Sequence, residues 1–150
     1  MKTLPLAALV VSGFSLGARP TPPPAKPTQT VTVVVSALAS TQSVVKLNFY
    51  NAPEKFLKDG QQAFRLIIKP EGKTELTLPV ELTPGEWAVA LTQDLNNNDK
   101  LDKNFLGIPT EPFAFSNNVK PRLAAPKFEE CKFLVNGPGQ VISITSWNDF

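Results

Sequence analysis

The sequence predicts an all-β fold: an antiparallel β-sandwich of immunoglobulin-like or transthyretin-like kind, with about seven strands and one long structured loop. Three observations lead to this prediction. Apolar residues occupy every second position in several short segments, turns rich in proline and glycine separate these segments, and no helical pattern is long enough for a crossover helix. Short strands without crossover helices are typical of antiparallel sheets packed face to face.

Two predicted strands begin the domain. In residues 31–35 and again in residues 45–49, apolar side chains recur with period two, as in a strand with one face toward a core. Residues 51–58 then predict one or two turns of helix, with Asn51 as the N-cap and Glu54 three positions later.

The middle of the chain predicts a hairpin. Residues 64–69 and 75–80 have the composition of strands, and the turn between them, residues 70–73, contains proline and glycine. We therefore expect these two strands to pair with each other.

Three further strands complete the predicted sandwich. Residues 87–93 follow a proline-glycine turn and alternate large side chains with alanines, so that the large side chains face the core. Residues 128–135 and 141–145 predict a final pair joined by the turn at residues 136–139.

The N-terminus predicts export. Residues 1–18 place Lys2 before an apolar run that ends in small residues, which is the order of a signal peptide and too short to span a bilayer as a mature helix. Residues 19–29 contain five prolines and predict an extended linker, which leaves residues 30–150 for one β-sandwich domain. We expect a secreted or periplasmic protein without membrane contact after signal cleavage; an N-terminal membrane anchor is the alternative.

The composition excludes several kinds of chemistry. The chain has no histidine and one cysteine, which removes Ser-His and Cys-His nucleophile systems, most zinc sites and any internal disulfide. The net charge is only +2, so we expect no nucleic-acid partner. Cys131 lies between charged neighbours at the strand parity of Phe133 and Val135, and we expect it to be buried.

The segment after residue 93 is the candidate site. Carboxylate or amide side chains recur at alternate positions, Asp94, Asn96 and Asn98, and again at Asp102, while the backbone carbonyl of Lys100 occupies the seventh position. This is the ligand order of a helix-flanked calcium loop. Calcium is therefore the candidate cofactor, with these five residues as ligands.

The loop departs from that pattern at two positions. Asp99 replaces the usual glycine at position 6, and Phe105 replaces the usual glutamate at position 12. Glu111 is the candidate for the missing carboxylate. We expect weak binding, with a dissociation constant of roughly 10⁻⁴ to 10⁻³ M; the alternative is a metal-free array of Asx turns.

The interval from residue 94 to residue 127 is unusually long for a connection. We expect its apolar residues to fold back as a satellite core over one end of the sandwich. These residues are Leu101, Phe105, Leu106, Ile108, Phe113 and Phe115. Its polar residues should then converge on one side; they are Asp94, Asn96, Asn98, Asp102, Glu111, Asn117 and Asn118.

Two stretches of this sequence carry a family resemblance. The run GEWAVA at residues 85–90 and the run DLNNNDKLDKNFLGIPTEPFAFSNN at residues 94–118 resemble the bacterial secreted family catalogued as domain of unknown function 2141, and the likeness covers residues 30–146. In that family a histidine precedes the loop, and glycines stand where this chain has Asn97 and Asp99; here Gln93 replaces the histidine. The resemblance implies an exported β-domain and supplies no mechanism.

The functional expectation is a non-catalytic binding or structural module of the cell envelope. Its partner would be a protein or a glycan, and the module is expected to be monomeric. Two alternatives remain: a carbohydrate-binding module, or a glycan hydrolase that uses a pair of carboxylates. The carboxylates available for a hydrolase are Asp94, Asp99, Asp102 and Glu111.

Overall fold

Two packed β-sheets make up the fold in the computed structural model, which describes residues 23–24 and 26–147. The described chain contains eight strands: β1 Gln29–Ser36, β2 Val44–Tyr50, β3 Phe64–Ile68, β4 Leu76–Leu82, β5 Gly85–Asp94, β6 Phe113–Phe115, β7 Phe133–Val135 and β8 Gln140–Thr145. One helical turn, α1 (Phe128–Cys131), and two short 3₁₀ turns (Pro53–Lys55 and Ser116–Asn118) interrupt the connections. In this part of the chain, no helix is long and apolar enough to cross a membrane.

The smaller sheet has the strand order β4-β1-β8, and the larger has the order β3-β2-β5-β6, with β7 also paired to β5. β6 and β7 pair with different stretches of the same strand, at residues 90–92 and 85–87 of β5. β2 and β5 run antiparallel through the middle of the larger sheet, with Leu47 opposite Leu91. The candidate loop leaves the larger sheet at the end of β5.

The core lies between the two sheets and follows directly from the period-two pattern. Val31, Val33 and Val35 of β1 are completely buried, and so are Leu47 and Phe49 of β2. Successive side chains of a strand point to opposite faces, so these alternate positions line one continuous apolar layer.

A second apolar cluster covers part of the outer face of the larger sheet. Ala88 and Ala90 of β5 leave room there for aromatic side chains from neighbouring segments. The cluster consists of Tyr50, Phe56, Ala88, Ala90, Phe115, Phe128 and Cys131. Burial in this cluster, with a smaller effect of the Glu130 charge, raises the pKa of the Cys131 thiol to about 12, so the residue is a packed side chain as expected.

The all-β sandwich prediction is confirmed, and the two faces of β5 are those that the sequence predicts. The chain has eight strands rather than about seven, because residues 113–115 of the long interval form β6 on the edge of β5. One pair departs from the antiparallel expectation: β1 and β8 run parallel, with Val33 opposite Ile142.

Both predicted hairpins are wrong. β3 pairs with β2, and β4 pairs with β1, so the turn at residues 70–73 carries the chain from one sheet to the other. The turn itself forms, with the Lys73 N–H donating to the Pro70 carbonyl at 3.1 Å. β7 and β8 likewise join different sheets, and residues 128–131 form α1 instead of the start of a strand.

Two boundaries also differ from expectation. Ala52, not Asn51, is the N-cap of the 3₁₀ turn at Pro53–Lys55, and no side chain caps this turn. The predicted signal peptide, 1–18, residues 19–22 and 25 of the predicted linker, and residues 148–150 of the domain lie outside the described residues. The last predicted linker residue, Gln29, is the first residue of β1.

Truncation of Leu47 tests where the core lies. Leu47 is fully buried between Leu66 and Leu91 of the neighbouring strands, so Leu47→Ala should lower the free energy of unfolding by about 2 to 5 kcal/mol. Ile67→Ala is the control, because Ile67 lies on the adjacent strand with 62% of its surface exposed and should cost less than about 1 kcal/mol. Equal losses in urea unfolding would contradict this placement of the core.

Candidate functional site

A buried ion pair connects the candidate loop to the sheet. Asp94 is the last residue of β5, and its side chain lies on the same face as that of Lys46 on the paired strand β2. Lys46 Nζ lies 2.8 Å from Asp94 Oδ2 and 2.7 Å from Asp99 Oδ1. The Lys46 and Asp94 side chains are only 7% and 4% exposed, whereas that of Asp99 is 79% exposed. One buried cation is therefore shared by a buried carboxylate and a surface carboxylate.

The ion pair shifts the pKa values of all three side chains. Burial by itself lowers the pKa of Lys46 and raises that of Asp94, but other contacts outweigh burial in both cases. For Lys46 these are the contacts with Asp94 and Asp99, and for Asp94 they are the contact with Lys46 and the backbone N–H groups of Asp99 and Asn98. The pKa of Lys46 is therefore raised and that of Asp94 lowered, and the hydrogen bond from Lys46 also lowers the pKa of Asp99. At pH values above the ordinary aspartate pKa, the ionised Asp94 side chain contributes to the stability of the fold. This contribution is lost as the pH falls through the lowered pKa of Asp94.

Asp94 also fixes the turn that follows it. Asp94 Oδ1 accepts the Asn98 backbone N–H at 3.1 Å, and Asp94 Oδ2 accepts the Asp99 backbone N–H at 2.8 Å. Within this turn the backbone of Asn97 and Asp99 is left-handed, with φ of 58° and 65°. Asn and Asp adopt this conformation more readily than other residues with side chains.

Asp102 forms the second centre of the loop. Its carboxylate accepts the Asn96 amide at 2.5 Å and the Asn98 amide at 2.8 Å. Its backbone N–H donates to Glu111 Oε2 at 3.1 Å, and the other Glu111 oxygen accepts the Leu95 N–H at 2.8 Å. The buried Glu111 side chain thus joins the two ends of the loop.

The residues beyond Asp102 form a small ordered hairpin. The Thr110 N–H donates to the Asp102 carbonyl, and Lys103 and Pro109 form an isolated β-bridge. Asn104 closes the tip, because its side-chain oxygen accepts the N–H groups of Leu106 and Ile108 at 2.9 and 3.1 Å. Backbone and side-chain hydrogen bonds, rather than apolar packing, hold this hairpin in shape.

The predicted convergence of polar residues is correct for five of seven positions. Asp94, Asn96, Asn98, Asp102 and Glu111 form one hydrogen-bonded group. The Asx turns that the sequence suggests are present; one is formed by Asn98, whose side-chain oxygen accepts the Lys100 N–H at 2.9 Å.

The two remaining polar residues lie elsewhere. Asn117 donates to the carbonyls of Glu130 and Lys132, and Asn118 accepts the Thr145 N–H. Asn117 therefore contacts the end of α1, Asn118 contacts β8, and neither belongs to the hydrogen-bonded group of the candidate loop.

The predicted satellite core is wrong for the apolar residues of the hairpin. Phe105, Leu106 and Ile108 are 95%, 68% and 45% exposed, because the hairpin projects from the sheet and its hydrogen bonds need no apolar cover. Leu101 is half-buried. Phe113 and Phe115 do pack into the outer-face cluster, since β6 returns to the sheet there.

Two residues of the site were not predicted. Lys46 follows the strand alternation, and nothing in its immediate sequence distinguishes it from an exposed lysine. Gln93 is completely buried and binds the β1–β2 connection: its side-chain oxygen accepts the Ala39 N–H at 2.9 Å, and its amide donates to the Ser40 carbonyl at 2.5 Å.

A groove of about 950 Å³ runs beside the loop across the outer face of the larger sheet. Side chains of β2, β3, β5 and β6 form its floor. Eight of residues 99–109, residues 121–125, and Leu57, Asp59 and Gln62 form its walls. Arg65 on this floor donates to Asn48 Oδ1 at 2.6 Å. A smaller cavity of about 400 Å³ lies between β3 and β4 and contacts no residue of the loop.

The model of one protein family matches residues 33–143, which include both sheets and the whole loop. Its description is "Uncharacterized protein conserved in bacteria (DUF2141)". The chain belongs to this family. No curated protein and no solved structure matches the chain.

The structure shows the conformation or the contacts of three residues that differ from the family resemblance described above. Asn97 and Asp99 stand where the resemblance places glycines, and both adopt the positive φ that glycine accepts most easily. Gln93 stands where the resemblance places a histidine, and it uses both its donor and its acceptor to fix the β1–β2 connection.

The groups that donate hydrogen bonds to the carboxylates of the loop are mostly side-chain amides and backbone N–H groups. Among the residues that the structure describes, no group of three or more His, Cys, Asp or Glu side chains is arranged to hold a metal ion. The carboxylates of Asp94 and Glu111 already accept two or more hydrogen bonds each from this chain.

Removal of the Lys46 charge tests the ion pair. Lys46→Met leaves Asp94 buried without a cation and should lower the free energy of unfolding by about 3 kcal/mol. Lys132→Met is a matched control, because Lys132 also contacts two carboxylates, Glu86 and Glu129, but is more exposed and should have a much smaller effect. Similar small losses for both variants in urea unfolding would show that the Lys46 pair does not stabilise the fold.

Proposed function

We propose that the protein is an exported, non-catalytic binding or structural module of the cell envelope. In this proposal the groove is the binding site, and the Asp/Asn-rich loop binds calcium weakly and stabilises one wall of the groove. The ligand is a protein or a glycan of the envelope. The charged and apolar start of the chain, residues 1–18, supports export.

The observation that carries the proposal is the position of the loop. Eight of residues 99–109 line the groove, and the hydrogen bonds of Asp94, Asp102 and Glu111 set the path of this segment. A concave surface with a few polar groups among apolar walls is the usual form of a ligand site. A rigid loop beside it supports a role in binding.

Weak calcium binding is supported by the donor set around Asp102. The Asn96 and Asn98 side chains both contact its carboxylate, and rotation of their amide groups would present oxygen instead of nitrogen. With the Lys100 carbonyl, the loop offers the oxygen ligands that calcium accepts. Lys46 neutralises part of the charge of Asp94, so the affinity should be low.

A non-catalytic role is supported by the pKa values and the hydrogen bonds of the carboxylates. A glycosidase needs one carboxyl group with a raised pKa to donate a proton. Lys46 lowers the pKa values of Asp94 and Asp99. Glu111 accepts backbone hydrogen bonds with both oxygens, which favours a structural use.

Calcium titration tests the loop. At about ten times the dissociation constant, calcium should stabilise the protein by about 1.4 kcal/mol and raise the melting temperature by roughly 5 °C. Asp102→Asn should abolish the rise, because it removes the carboxylate that both amides contact while preserving shape. Magnesium at the same concentration should have a smaller effect, since it prefers a rigid octahedral shell.

Asp59→Asn is the control for this titration. Asp59 lines the groove but lies outside the loop, so its variant should keep the full response to calcium. An unchanged melting temperature for the original protein in calcium would remove the metal from the proposal and leave the loop as an array of Asx turns.

A further inference from the structure

We infer that the groove binds an acidic peptide segment of a partner protein, one whose carboxylates alternate with aliphatic side chains. This inference rests on the proposed function, in which the groove is the binding site. It names the chemistry of the ligand from the charges, the exposed apolar side chains and the rigidity of the walls.

The groove is more basic than the rest of the protein. Five cationic and two anionic side chains line it, and Asp94 contacts Lys46 from behind, so five positive and three negative charges leave this one region with two net positive charges, as many as the whole chain carries. The cationic residues are Lys46, Arg65, Lys100, Lys103 and Arg122. A cleft with one predominant sign of charge concentrates ligands of the opposite sign.

The contact between Lys46 and Asp99 shows that a carboxylate fits at the floor of this groove. Asp99 lies in the groove wall, and its carboxylate is largely exposed although it contacts the buried Lys46 amine. Asp94 contacts the same amine from within the protein. A carboxylate of the ligand can therefore replace Asp99 at Lys46 without leaving the buried charge of Asp94 unpaired.

The apolar part of the ligand is indicated by the walls. Leu106 and Ile108 line the groove on the Asn104 hairpin, and Leu123 lines it from the segment 121–125 with its side chain fully exposed. Hydrogen bonds from Leu106 and Ile108 to Asn104 hold the hairpin in place, so little order is lost when a ligand packs against it. Exposed aliphatic side chains that line one groove from two separate segments mark an interaction surface.

A peptide fits this lining better than a glycan does. Sugar rings bind mainly by stacking on open aromatic faces, but Tyr50 and Phe115 in the groove are only 5% and 7% exposed, and their rings pack edge to face against Phe56 in the outer-face cluster. Phe113, the third aromatic side chain of the lining, is half-buried, and its ring packs edge to face against Phe115. Aliphatic side chains, which are the exposed groups here, contact peptide side chains equally well in any orientation.

Fluorescence anisotropy with three labelled peptides tests the inference. The peptides alternate glutamate with leucine, lysine with leucine, and glutamate with serine. We expect saturable binding of the first only, and weaker binding as salt rises from about 0.05 M to about 0.5 M, because exposed charge contacts are screened. Lys103→Glu with Arg122→Glu should weaken this binding by about tenfold or more and should favour the lysine-leucine peptide.

Lys69→Glu with Lys73→Glu is the matched control. It changes the net charge equally, at two exposed residues that lie outside this groove, and should leave the binding intact. Loss of binding in both double variants would assign the effect to net charge and overturn the inference.

Two other ligands separate failure of the inference from failure of the proposed function. Saturable binding of polygalacturonate or of anionic lipid vesicles, with none of the glutamate-leucine peptide, would keep the groove as a binding site and overturn the peptide assignment. No binding of any of these probes, with the calcium response of the loop intact, would overturn the inference and leave a structural module. Unfolding of the charge variants would be detected by circular dichroism, and the salt dependence of the original protein then decides.

Discussion

The site depends on the buried amine of Lys46. This side chain lies on the face of the larger sheet that the strand alternation alone would predict to be exposed to solvent. Lys46 alternates with the core residues of β2 and points away from the core, yet its side chain is only 7% exposed. A buried ammonium without partners costs several kcal/mol, so the surrounding chain must supply carboxylates. Asp94 at the end of β5 and Asp99 in the turn supply them, and this requirement brings the loop back over the sheet.

Once the loop is fixed in this way, its shape comes from polar contacts within the chain. Asp94, Asp102 and Glu111 each accept backbone or amide N–H groups, and Asn104 closes the hairpin tip. Buried or half-buried acceptors with donors in place need no apolar layer. The aliphatic side chains of the hairpin are therefore free to line the groove.

The sequence predicts the sheets well and their pairings poorly, for a physical reason. The period-two pattern locates strands such as β1, β2 and β5 and assigns the two faces of β5, because alternation records which face is buried. Alternation does not determine which strands pair with each other. The turn at residues 70–73 forms as predicted, but the two strands that it joins belong to different sheets. Residues 128–131 show the same limit, since their apolar side chains serve a helical turn as well as they would serve a strand.

The candidate loop could be located from sequence because its oxygens recur at alternate positions. Glu111 could be assigned to it because position 12 of the calcium-loop pattern lacks its carboxylate, although the contacts that Glu111 makes are with backbone N–H groups. Lys46 could not be assigned, since it lies 48 residues away in sequence from Asp94 and meets it only through the β2–β5 pairing. The exposure of Phe105 was also missed, because apolar residues in a long loop normally pack inward.

The central claim is that Lys46 holds the Asp94 carboxylate in its ionised form at the junction of loop and sheet. A carbon-13 NMR titration of the Asp94 carboxyl in the native protein tests it most directly. The account predicts a pKa below the ordinary aspartate range in the original protein and a clearly higher pKa in Lys46→Met, where burial raises the pKa and only the backbone N–H groups of Asp99 and Asn98 still lower it. An Asp94 pKa at or above the ordinary value in the original protein would contradict the account.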